Sequence, residues 1–285
     1  MRSPTFGRSL LLLVVTFCLT GLAPARPTEA EFTRQMAARF RTALPGHTIE
    51  ITSEPLQLRI AATPDPLTVN VARIYNYCAS APAQDCAQSI DRFIAGTLEG
   101  VVHPVSPVTR AQLRLLVRNV EYCDSINPDH ARDLRGPIMR PFVSGLCIIL
   151  MGDYPTTMRS VTEDQLAPLG LTADAAWALA ERQTLADLPR PDRLEGIHDT
   201  VVAVTGYDYV TSLMLNAEGW RAAAAAEGEL VVAVPDSGSM IVVRRANLAD
   251  LVRFRAIVRD QMETAERGVS PNLYHWTAQG WALLE

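Results

Sequence analysis

Ser212, Asp208 and His198 are the residues whose chemistry would matter most if the fold brought them together. A serine hydroxyl becomes a nucleophile when a histidine within hydrogen-bond reach takes its proton and an acid orients that histidine. Ser212 opens an apolar run, Asp208 lies four residues before it, and His198 stands at one end of the preceding apolar segment. No Gly-x-Ser-x-Gly elbow surrounds Ser212. The opposing reading is that a serine at a strand edge satisfies a neighbouring backbone group and does no chemistry. An exported serine-type hydrolase using Ser212 is therefore the alternative expectation. The leading one is a non-catalytic binding or interaction protein.

Tyr207 and Tyr209 flank Asp208 directly after Gly206, where paired aromatics can line a binding groove or close a core edge. The other candidate ligands are dispersed. His103, His130 between Asp129 and Asp133, and the His198-Asp199 pair sit in separate segments, without the close spacing that a metal site uses. Neither a metal nor a cofactor is expected. Arg244-Arg245 reads as a solvated face, and Trp220, Trp276 and Trp281 read as packing residues.

Composition excludes further chemistries. The chain has 285 residues, 48% of them hydrophobic and 20% charged, an ordinary balance for a globular protein able to bury a core. All 26 of its Lys+Arg residues are arginine. Without lysine there is no P-loop and no Schiff base. The formal net charge is −5 and no polybasic run occurs, which speaks against nucleic acid or an anionic membrane surface as partner.

Residues 1–25 have the pattern of a secretory signal: Arg2 and Arg8, an apolar block from Leu10 to Leu22, then Ala23-Pro24-Ala25. The apolar block is shorter than the roughly 20 residues of a membrane span, so no transmembrane segment is expected once the signal is removed. Cleavage is expected after Ala25, with Ala30 as the alternative. Phe17 before Cys18 disfavours lipid attachment, which needs a small residue there. Export leaves Cys78, Cys86, Cys123 and Cys147, and these allow three pairings. Cys78 with Cys86 flanks a short Ala-Pro-Ala turn, and Cys123 with Cys147 follows by elimination. The expected location is periplasmic or secreted.

These residues must be positioned by a mixture of helices and antiparallel strands. Thr28 and Glu31 have capping-box spacing ahead of Phe32, Met36, Phe40 and Leu44. Alternation from His47 to Val71 predicts strands, Asn70 and then Asp85 with Gln88 begin two helices, and Phe142 to Met151 suits a central strand. The state of Leu113 to Val120 is open between helix and strand. Thr162 with Gln165 and then Thr172 mark two further helix starts. Ile197 to Val204 and Thr211 to Leu215 are expected as strands, Glu218 to Ala226 as a helix, and Leu230 to Val234 with Met240 to Val243 as a hairpin. Asn247 is expected to cap a last helix carrying Leu248, Leu251, Val258 and Met262, before a terminal hairpin around Gln279-Gly280. The fold class is thus α+β, antiparallel sheets with packed helices, with a C-terminal ββαββα unit plus terminal hairpin. Beyond the signal, the organisation expected is an N-terminal α+β half over 26–126, a polar loop or boundary over 127–141, and a C-terminal α+β half over 142–285.

The order of several short motifs resembles the YtpQ-like family of uncharacterised bacterial proteins, domain of unknown function 1444. They include Val69-Asn70-Val71-Ala72-Arg73-Ile74-Tyr75, Leu169-Gly170-Leu171, Tyr209-Val210-Thr211-Ser212-Leu213, Val231-Val232-Ala233-Val234-Pro235 and Val269-Ser270-Pro271-Asn272-Leu273-Tyr274. The resemblance spans roughly Glu31 to Glu285 and implies an α+β fold without an established activity. Asp236-Ser237-Gly238 stands where that family usually carries Arg-Asp after its proline. The expected partner is an unknown protein or a component of the bacterial envelope, bound through the C-terminal half.

Overall fold

A computed structural model describes residues 27–61, 66–102, 106–126, 136–155 and 157–285. The expected signal, residues 1–25, lies outside them. The N-terminal layer begins with helix α1 (Glu29–Ala43), which starts where its capping box dictates: the Thr28 hydroxyl accepts from the Glu31 amide at 3.3 Å while the Glu31 carboxylate accepts from the Thr28 amide at 2.8 Å. Its four-residue stripe of Phe32, Met36, Phe40 and Leu44 is buried. The stripe faces the antiparallel sheet β1 (Ile49–Ile51), β2 (Gln57–Ile60) and β3 (Leu67–Asn70), where Leu58, Ile60 and Val69 point inward. The Asn70 side chain accepts from the Ala72 amide at 2.8 Å to start α2 (Ala72–Ser80), and α3 (Ala83–Val102) follows at once. Cys78 and Cys86 pair across that corner, their Cα atoms 4.9 Å apart.

The second sheet is built on β4 (Leu113–Asn119). After β4 come α4 (Val120–Ile126), β5 (Met139–Pro141), β6 (Leu146–Asp153) and β7 (Met158–Ser160). β6 is central: β4 pairs along one side of it, and β5 and β7 share the other. The apolar run expected to be a strand from Phe142 starts its ladder only at Leu146, because Val143 to Gly145 turn the chain, with Gly145 at φ 79° and the Leu146 amide bonded to the Val143 carbonyl. Cys123 of α4 pairs with Cys147 of β6, fixing that helix to the sheet. Two helices then pack alongside, α5 (Glu163–Leu166) and α6 (Ala173–Ala186).

The third sheet holds β8 (Val202–Thr205), with a 3₁₀ helix (Val210–Leu215) and α7 (Ala217–Glu227) following it in the chain. The hairpin β9 (Leu230–Asp236) and β10 (Ser239–Arg244) comes next, then α8 (Leu251–Thr264) and the terminal hairpin β11 (Leu273–Thr277) and β12 (Gly280–Leu283). The strand order is β12-β11-β9-β10-β8, antiparallel throughout. One apolar core joins the second and third sheets through residues such as Leu115, Val117, Ile149, Met214, Trp220, Val232, Val242 and Tyr274. On the far face of the third sheet α8 covers Val231, Ala233, Val243 and Leu273 with Val258. The fold is α+β, as expected. None of the described helices is long and apolar enough to cross a membrane.

Three expectations are corrected. Thr211 to Leu215 is a 3₁₀ helix, not a strand: Val210 to Met214 are all buried, whereas a strand would alternate its faces. Ile197 to Val204 is a strand only from Val202, because the amides of Asp199 and Thr200 turn back onto the Gly196 carbonyl. The C-terminal unit is therefore not ββαββα, its second strand being helical. The 127–141 segment, expected as a loop or boundary, is described only from residue 136 onward. Residues 127–135 lie outside the described ones, Met139–Pro141 is a strand, and β4 pairs with β6 across the segment. The hydrophobic clusters part earlier, between Val101 and Val108. A smaller shift occurs at α8, where Asp250 rather than Asn247 accepts from the first-turn amide of Arg253, at 2.9 Å, and of the expected stripe only Val258 is fully buried.

Candidate functional site

Among the described residues β4 has no strand on its outer side, yet most of its residues are buried. In an antiparallel ladder alternate residues turn both backbone groups away from the neighbour, and in β4 these are Leu115 and Val117. Side chains take the missing strand's place. The Leu115 amide donates to the Thr184 hydroxyl of α6 at 2.8 Å, and the Val117 amide donates to the Ser212 hydroxyl at 3.1 Å. Ser212 in turn donates to the Leu115 carbonyl at 2.9 Å, and the Thr211 hydroxyl donates to the Val117 carbonyl at 3.0 Å. Further along, the Gln183 amide group donates to the Leu113 carbonyl at 2.8 Å. Ser212, Thr211 and Thr184 are fully buried.

Ser212 consequently has its proton on one backbone group and its lone pair on another, the opposite of an activated nucleophile. The proposed triad is not brought together. His198 lies exposed in the turn before β8, where its Nδ1 is 3.0 Å from a Glu227 carboxylate oxygen and 3.1 Å from an Arg244 guanidinium nitrogen. That nitrogen can donate to the carboxylate or accept from the guanidinium. It does not reach Ser212. Its carbonyl accepts from Asn247 at 2.9 Å and from Arg244 at 3.2 Å, so His198 ties its turn to the end of β10. Arg244 is a half-buried anchor, not the solvated residue expected. Asp208 is exposed.

The two tyrosines also separate. Tyr207 is exposed whereas Tyr209 is buried, so they do not line one groove. Burial, reinforced by a hydrogen bond to Asp153 and the charge of that carboxylate, raises the Tyr209 phenol above its ordinary pKa. Arg114 lies 6.0 Å from its ring centroid. Both cysteine pairs expected from the sequence are at disulfide distance. Among the described residues no group of three or more His, Cys, Asp or Glu could hold a metal ion, and His103 and His130 lie outside the described residues.

The polar groups left unsatisfied are elsewhere. Arg118, near the end of β4, is 6% exposed, and its Nε is buried without a hydrogen-bond partner. Its guanidinium carbon sits 4.7 Å from the ring centroid of Tyr122 on α4. Burial pulls its pKa down to about 10; Tyr122, the next largest influence, opposes that shift, and the charges of Arg73 and Arg267 add to it less strongly. Arg73, on the first turn of α2, is likewise lowered by burial and then by Arg267. Glu266 answers these charges in part, lying 3.8 Å from Arg73 and 3.1 Å from Arg92 of α3. Arg267 is placed by its backbone: its carbonyl accepts from Ser237 at 3.0 Å, and the next residues run along the end of β9 through bonds from Val269 to Pro235 and from Ser270 to Val234.

A seam of four arginines and one glutamate thus lies between the N-terminal layer and the second and third sheets. Each disulfide braces one wall. Cys78–Cys86 holds α2, with Arg73, against α3, with Arg92. Cys147 is the register partner of Arg118, and Cys123 follows the tyrosine that covers it. Sequence reasoning passed over Arg118 as one residue of an apolar segment. The signal present was a charge at a core-forming position, but its companions come from residues 73, 92 and 267.

No family model matches the chain, and no curated protein or solved structure matches it either. The likeness to the YtpQ-like family rests on its quoted motifs alone.

Proposed function

We propose that this is an exported protein of the bacterial envelope, periplasmic or secreted, that works by binding a negatively charged ligand or partner rather than by catalysis. The observation that carries the reading is the buried Arg118, whose Nε has no partner while Arg73 and Arg92 share a single carboxylate nearby and Arg267 adds a further positive charge. A buried charge without a counter-charge costs several kcal/mol on general grounds, and an arriving anion removes that cost. Export is supported by the signal-like residues 1–25 and by two disulfide pairs, which suit an oxidising compartment. Recognition is moved from the tyrosines of the C-terminal half to the seam.

The alternative hydrolase is disfavoured because the Ser212 hydroxyl is committed to Leu115 and Val117. Two measurements test the reading. A fluorophosphonate probe should leave Ser212 unlabelled, and labelling there would restore the hydrolase. Capture of envelope components on immobilised protein should weaken in the Arg73→Gln, Arg267→Gln double variant. Identical recovery by both proteins removes the seam as the recognition surface.

A further inference from the structure

We infer that the seam is a binding site for a phosphate-type dianion, with Arg118 as its floor and Arg73 and Arg267 as its walls, an assignment that rests on the binding function proposed above. Arg118 is a built element and not a surface charge, being 6% exposed and held under Tyr122, next to Val117, whose outward amide is bonded to Ser212. Its guanidinium offers donors in a rigid planar fork, which matches two oxygens of a tetrahedral oxyanion. No hydrogen bond among the described residues uses that fork. Its Nε is buried and its ring neighbour supplies a π face, not an acceptor.

Charge selects the class of anion. Arg73, Arg92, Arg118 and Arg267 carry four positive charges, and Glu266 returns one negative charge through Arg73 and Arg92. A dianion offsets more of the remainder than a carboxylate monoanion does. Arg73 and Arg92 are partly exposed, with side chains 41% and 60% accessible, and both are already ordered by Glu266. Free phosphate and the terminal phosphate of a larger compound share this chemistry.

The test uses the disulfide-bonded protein and follows its melting temperature in inorganic phosphate, in glycerol phosphate, and in sodium chloride at matched ionic strength. Phosphate should raise the melting temperature well beyond chloride. In Arg118→Met affinity should fall roughly 10- to 100-fold, the loss expected for charge-assisted hydrogen bonds, while the anion-free melting temperature does not drop. Arg267→Gln, at a less buried position, keeps the test open if Arg118→Met does not fold, and it should weaken phosphate by about 5-fold or more. Preference for glycerol phosphate over inorganic phosphate assigns the site to a phosphate ester, and the reverse preference to the free ion. A phosphate response no larger than that of chloride, or one unchanged in both variants, overturns the site. Should phosphate fail while capture of an envelope component still depends on Arg73 and Arg267, the dianion assignment falls and the binding function stands.

Discussion

Along β4, Leu115 and Val117 turn backbone groups outward and each meets a hydroxyl, whereas Arg118, the next residue, carries a buried charge that meets only an aromatic ring. The two regions are contiguous in one strand and equally removed from water. In the first, every donor and acceptor on the exposed edge of the ladder is answered by a side chain of matching size. In the second, the burial is kept and the partner is left out. The difference teaches how to tell scaffold from site here: polar residues that close each other's hydrogen bonds serve the fold, and the ones left open await something from outside.

The comparison breaks most easily at Ser212. Ser212→Ala orphans both the Val117 amide and the Leu115 carbonyl, so it should lower stability by about 2 to 6 kcal/mol, at roughly 1 to 3 per buried unsatisfied group. Denaturant unfolding measures this, and a loss under about 1 kcal/mol would mean the hydroxyl is not a structural partner. Thr184→Val removes the acceptor of the Leu115 amide and should cost about 1 to 3 kcal/mol. Because Ser212 and Thr184 serve the same residue, their double variant should depart from additivity.

On the seam side the sign reverses. Arg118→Met should leave the anion-free protein unchanged or more stable by up to about 2 kcal/mol, since the removed charge has no counter-charge paired with it among the described residues. Even lowered to about 10, its pKa keeps Arg118 charged at neutral pH, so the cost of burying it is fully present there. Marked destabilisation in the absence of anion would place Arg118 with the scaffold.

The smallest effect concerns pH. Tyr209 is raised above the ordinary tyrosine value near 10, so the folded state holds its proton longer than the unfolded state does. Its contribution is complete below pH 10 and is lost as pH rises beyond it. Tyr209→Phe should therefore lose less stability than the parent between about pH 9 and 11. Parallel losses in the two proteins would deny the role given to burial.

What could be read from the sequence was local. The Thr28–Glu31 box, the Thr162 and Thr172 starts, the β9–β10 hairpin and the terminal hairpin each depend on residues within a few positions of one another. Both cysteine pairings followed from a short turn and elimination. The opposing reading of Ser212, a backbone partner, also came from its immediate surroundings. The failures were long-range. Periodicity cannot separate a buried 3₁₀ helix from a buried strand when all of Val210 to Met214 is apolar or packed. The seam was invisible because no window of sequence holds residues 73, 92, 118 and 267 together.

The hydroxyls that complete β4 arrive late. Thr184 lies 69 residues beyond Leu115, and Ser212 lies 95 and 97 residues beyond the groups it serves. A chain that emerges from its N-terminus can pair β4 with β6 soon after residue 153, but the other side of β4 then stays a bare row of amides and carbonyls while some sixty further residues follow. Such a row is a template for a strand of another chain. Folding of this protein is thus an ordering problem as much as a stability problem. The interval before Ser212 joins is when a chaperone would matter, and a chain cut short of Thr211 keeps that edge open for good.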